Sequence, residues 1–139
     1  MGECEALENY LKQILILLET KGYARSKDIA DSMGVTKPSV SVAMKKLKEN
    51  GCIMMSNRSP VYLTDKGYSI ARQFYDRYKI LKRFLVQLGV DEQIAARDAC
   101  KMEHDLSDES LTAISGLLTK WNQNENGMPV RMGIPLLWR

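Results

Sequence analysis

Residues 26–51 read SKDIADSMGVTKPSVSVAMKKLKENG, and this stretch decides the fold. Ile29, Ala30 and Met33 share one face of a short helix for which Ser26 is a suitable N-cap and Gly34 the end. After the brief turn Gly34-Val35-Thr36, Pro38 suits the first position of a second helix. That helix runs to about Asn50-Gly51, with Val40, Ala43, Met44 and Leu47 inward at i, i+3, i+4 and i+7. Two short helices joined by a glycine-containing turn form a helix-turn-helix unit.

The flanks extend the pattern. Upstream, Leu7, Tyr10, Leu11, Ile14, Leu15 and Leu18 predict a helix over residues 5–20, closed by Gly22. Downstream, Cys52 to Ser56 and Val61-Tyr62-Leu63 are strand candidates around the turn formers Asn57 to Pro60. Helix, helix-turn-helix, hairpin is the winged-helix order. Thr64 then caps one long helix from Asp65 to about Leu88. Its stripe of Phe74, Tyr78, Leu81, Leu85 and Leu88, widened by Ile70, Tyr75 and Phe84, exceeds what a small head domain covers. It calls for another surface, most simply a second copy of the chain. Helices over Asp91 to His104 and from Ser107 through Trp121 follow. The expected class is mostly α with a small β-hairpin wing. A winged helix-turn-helix domain is expected over residues 1–64, a helical dimerisation domain over 65–121, and a tail over 122–139.

Composition narrows the function. At 139 residues, 45% hydrophobic and 27% charged, the chain is an ordinary globular protein. No apolar run reaches the ~18–20 residues of a membrane span, and Met1 to Glu5 do not open a signal peptide. Cys4, Cys52 and Cys100 form no disulfide framework, so the expected location is the cytoplasm. The net charge of +3 decides little, but Lys37 to Lys48 hold four lysines and no acid. On a helix built to enter the major groove, Thr36, Lys37, Pro38, Ser39, Ser41 and Val42 occupy the tip and outer face. Arg25, Lys27, Lys45, Lys46 and Lys48 are phosphate candidates, and Arg58 reaches out from the wing. Positions 36–46 contain no Arg, Asn or Gln for bidentate base contacts, so apolar contact and DNA shape carry much of the specificity.

Near the end of the fifth helix lie Cys100, Glu103 and His104, at i, i+3 and i+4. On one helix face they present thiolate, carboxylate and imidazole, a set of mixed softness that suits a divalent transition metal. The same residues also read as a small buried thiol beside a surface ion pair. An enzyme using Cys100 and His104 as nucleophile and base lacks an oxyanion site near the cysteine, so no catalytic activity and no small-molecule substrate are expected. A winged-helix protein-interaction module would show an apolar groove where this chain has lysines and hydroxyls.

Over residues 6–121 the chain resembles the diphtheria toxin repressor and manganese transport regulator family of metal-dependent winged-helix repressors. The resemblance rests on Tyr10 to Ile14, Gly22 to Arg25, Asp28 to Ala30, Pro38 to Val40, Leu63 to Gly67, Phe84-Leu85 and Cys100 through Ser107. It implies a homodimer on a double-stranded DNA operator, gated by one Fe2+ or Mn2+ per subunit, with Cys100, Glu103 and His104 as ligands. Asn9 stands where the family's first-helix ligand sits. Lys12, Tyr78, Lys82 and Ala96 replace family ligands, which implies that the second metal site is absent. The chain is expected to be a short form without the family's SH3-like domain. The alternative is a metal-independent or redox-responsive regulator with a degenerate site, in which Lys12 pairs with Glu103.

Overall fold

The computed structural model describes residues 3–56 and 60–123. Among these residues the elements are α1 (Glu3–Thr20), α2 (Ser26–Met33), α3 (Lys37–Glu49), β1 (Ile53–Met54), β2 (Tyr62–Leu63), α4 (Asp65–Gln87), α5 (Glu92–Met102) and α6 (Asp108–Gln123). The mostly helical winged-helix order read from the sequence is therefore the observed one. The strands pair antiparallel, Ile53 opposite Leu63 and Met54 opposite Tyr62. They are shorter than expected, because Cys52, Met55, Ser56 and Val61 lie outside the ladder. The predicted tail beyond residue 123 lies outside the described residues.

The chain divides within α4 into two compact units, Met1–Tyr75 and a second from Asp76 onward. In the first unit, Leu11, Ile14, Ile29, Val40, Leu47 and Val61 are at most 2% exposed and form one apolar core with Ala24, Met44 and Cys52. Each such large aliphatic contributes about 1.5–3 kcal/mol on burial. Their helical spacing therefore sets which face of α1, α2 and α3 turns inward.

The turns are fixed by local chemistry. Ser26 is the first helical residue of α2 rather than its cap, and the cap position falls to Arg25. The Arg25 N–H donates to Asp28 Oδ2 at 3.2 Å, so a carboxylate one turn into the helix satisfies the end. Gly34, at φ 66°, closes α2 in the left-handed conformation and donates to the Ala30 carbonyl. Thr36 caps α3, whose first residue is Lys37, so Pro38 occupies the second position instead of the first. Its missing N–H is harmless there, because the first four helical N–H groups have no intrahelical partner. Around the hairpin, the Val61 N–H donates to the Ala24 carbonyl at 2.7 Å and the Thr64 N–H to the Cys52 carbonyl at 3.0 Å. Thr64 Oγ1 donates to the Gly51 carbonyl at 2.6 Å and accepts from the Gly67 N–H at 3.1 Å.

In the second unit Leu81, Ala95 and Ala99 are fully buried, and Phe84 stacks on Trp121 with ring centroids 6.0 Å apart. Part of the stripe on α4 is thus covered within the chain by α6. Tyr78, Leu85 and Leu88 remain half-buried and Val86 is exposed. As expected, Ser107 caps α6 by accepting the Ser110 N–H at 3.1 Å. However, α5 ends at Met102, two residues before the expected His104, with Glu103 at its C-cap. The next turn is closed by the Asp105 N–H on the Met102 carbonyl at 3.0 Å. No described helix is long and apolar enough to cross a membrane.

Candidate nucleic-acid interface and metal centre

The inward stripe of α3 leaves its opposite face to solvent. Thr36, Lys37, Pro38, Ser39, Ser41, Val42, Lys45 and Lys46 are all exposed, as are Arg25 and Lys27 beside them. Lys48 is exposed too. The sequence-predicted nucleic-acid residues are therefore all exposed in the first unit, except Arg58, which lies outside the described residues. Val42 is 57% exposed, a large apolar surface at the middle of a cationic helix and suited to a thymine methyl. The hydroxyls at the tip are committed to each other. Thr36 Oγ1 accepts from the Ser39 N–H at 3.2 Å and donates to Ser39 Oγ at 2.9 Å. This leaves the Ser39 hydroxyl proton to donate outward, to a phosphate oxygen or a base acceptor. The Arg25 guanidinium lies 5.5 Å from the centre of the Tyr23 ring, a cation–π contact that holds it beside α2. Tyr23 is not among the nucleic-acid residues singled out from sequence, although its place two residues before Arg25 is the available signal.

In the second unit, Glu103 and His104 are buried side by side, their side chains 0% and 2% exposed. His104 Nε2 lies 3.3 Å from Glu103 Oε1. Cys100, half-buried and in no disulfide, sits on the last turn of α5. α5 stops at Met102, so Glu103 stands at its C-cap and His104 in the turn beyond it. Among the described residues, no three His, Cys, Asp or Glu side chains converge as a metal cage. What the fold does bring together is the carboxylate and the imidazole. An oxygen and a nitrogen donor together fit a divalent transition cation. Asn9 is half-buried and Lys12 buried on α1, in the first unit.

Comparison with known proteins settles the family. Residues 4–60 match the iron dependent repressor N-terminal DNA binding domain, and residues 64–131 match the iron dependent repressor metal binding and dimerisation domain. The chain belongs to the iron-dependent repressor family. It is similar to the transcriptional regulator MntR of Lysinibacillus sphaericus, at 33% identity over 86% of either chain. It is 38% identical to MntR of Escherichia coli O157:H7 over 78% of this chain and 70% of that one. A solved manganese-dependent transcriptional repressor in complex with manganese superimposes with a TM-score of 0.73 at 30% identity, over 81% of this chain. The chain spans about half the length of that structure, 52%. As an iron-dependent repressor it is a DNA-binding, metal-dependent transcriptional regulator, and the metal-independent alternative is not favoured.

One buried residue of this iron-dependent repressor escaped the sequence reading. Arg77 is 8% exposed on α4, and its side chain contacts the segment from Glu103 to Asp108. Its partners lie 26 to 31 residues further along the chain, beyond the reach of any local spacing rule.

Proposed function

We propose that the chain is a homodimeric repressor of iron- or manganese-uptake genes. It binds a double-stranded operator in the cytoplasm through α3 when one Fe2+ or Mn2+ per subunit is held by Cys100, Glu103 and His104. The observation that carries this reading is the buried Glu103–His104 pair, on a chain whose α3 turns a lysine- and hydroxyl-bearing face to solvent. When bound, the cation adds positive charge beside a buried carboxylate and an imidazole. Lys45, Lys46 and Lys48 neutralise phosphates, while Ser39 and Val42 meet base edges. Tyr78, Leu85 and Leu88, half-buried on α4, are the apolar surface offered to the second copy.

The test is operator binding by fluorescence anisotropy, with Mn2+, with Fe2+ under anaerobic conditions, and with chelator. Coupling between two linked sites is commonly about 5–150-fold, and chelator is expected to weaken binding within that range. Equal affinity with and without chelator ends the metal-gated reading.

A further inference from the structure

Arg77 is the most buried arginine among the described residues whose burial is given. Its guanidinium makes three contacts, all on one short segment. Nη1 donates to the Glu103 carbonyl at 2.9 Å and to the Leu106 carbonyl at 2.9 Å, and Nη2 pairs with the Asp108 carboxylate. These partners span the whole connection between α5 and α6, from the C-cap of one helix to the first residue of the next. The end of a helix leaves carbonyls without intrahelical partners and carries partial negative charge, so a cation is favourable there. The planar fork of arginine meets two carbonyls and a carboxylate at fixed angles, which the point charge of lysine cannot do.

We propose that Arg77 is a positioning residue for the metal gate, which presets Glu103 and His104 by clamping the turn that carries them. This rests on the reading of Glu103 and His104 as ligands. The Glu103 carbonyl held by Arg77 belongs to the residue whose carboxylate lies against His104 Nε2. Fixing that backbone therefore fixes both donors before any metal arrives. The Asp108 side chain is 82% exposed, so its ion pair is heavily solvated and the two carbonyl bonds do most of the holding.

The experiment titrates the full chain with Mn2+ as wild type, Arg77→Lys and Asp108→Asn, and reads nitrogen NMR of the Arg77 guanidinium in metal-free wild type. Partners outside the coordination sphere commonly change metal affinity 10–100-fold, and Arg77→Lys is expected to lose about that much. Asp108→Asn, which keeps both carbonyl bonds, is expected to lose less than about threefold. Amides 103–107 of metal-free Arg77→Lys should exchange faster than in wild type at unchanged global stability. In wild type the two Nη groups should be inequivalent and slow to exchange, a readout that does not depend on any variant folding. A freely rotating guanidinium, or wild type and Arg77→Lys binding Mn2+ equally, overturns the positioning role and leaves the metal-gated reading intact. Wild type that binds no Mn2+ sinks the metal-gated reading itself, and the positioning role falls with it.

Discussion

Replacing Gly67 with alanine tests how the wing is attached to the rest of the head. Gly67 lies in the first turn of α4, buried against the entry to β1. A Cβ there would collide with the Cys52 carbonyl oxygen and stand 2.8 Å from its carbonyl carbon. That atom is backbone, and its oxygen already accepts the Thr64 N–H. Relief requires α4 to shift away from β1, which strains or breaks the Thr64 bonds to Cys52 and Gly51. Overpacking of this kind costs about 1–3 kcal/mol. Two lost hydrogen bonds contribute about 1 kcal/mol each. The expected destabilisation is therefore about 3–5 kcal/mol, a large share of the 5–15 kcal/mol that holds a typical domain. Urea unfolding followed by circular dichroism measures it. Gly116, in α6, is the control, because a Cβ there meets nothing within 4 Å. Gly116→Ala should stabilise by about 0.5–1 kcal/mol through helix propensity alone. A Gly67→Ala protein destabilised by less than about 1 kcal/mol would show that the packing argument is wrong.

Lys46→Ala should weaken binding to all DNA sequences alike and lower the salt dependence by about one counterion. Val42→Gln should instead change which operators are preferred, and a reversal of these two signatures in anisotropy titrations would exchange the assigned roles. Sedimentation at micromolar concentration should give a homodimer, and a compact monomer would refute the use of α4 as the association surface. Mass spectrometry under native conditions should count one metal per subunit, not two. Metal affinity should drop as the solution is acidified, because coordination requires Cys100 as thiolate and His104 neutral, and protons compete for both. An affinity indifferent to acid would exclude these ligands.

The head was legible in the sequence because each signal was local. The i, i+3, i+4, i+7 spacing of Val40, Ala43, Met44 and Leu47 names the buried face of α3, and thereby its exposed one. Helix ends were less legible. Ser26 looks like a cap by composition, but the Arg25 N–H bonded to Asp28 places the boundary one residue earlier. The overestimate of α5 has a similar cause. Nothing in residues 100–104 announces a stop at Met102, and the groups that organise the next turn come from Arg77 on another helix. At the candidate metal site, Glu103 and His104 stand at the end of α5 and in the turn beyond it, where carboxylate and imidazole meet. The stripe on α4 calls for another surface, and for Phe84 that surface is Trp121 of its own chain. Tertiary pairing of that kind leaves no mark on either segment alone.

The hairpin is anchored chiefly from outside its own ladder. Each strand is two residues long, while Ala24, Gly51 and Cys52 supply carbonyls that hold its base from the α1–α2 loop and the end of α3. The groups that do this holding are main-chain carbonyls, which no side-chain substitution can delete. The seat of the wing is thus written in backbone geometry, whereas the recognition helix spends a side chain on the core in every turn.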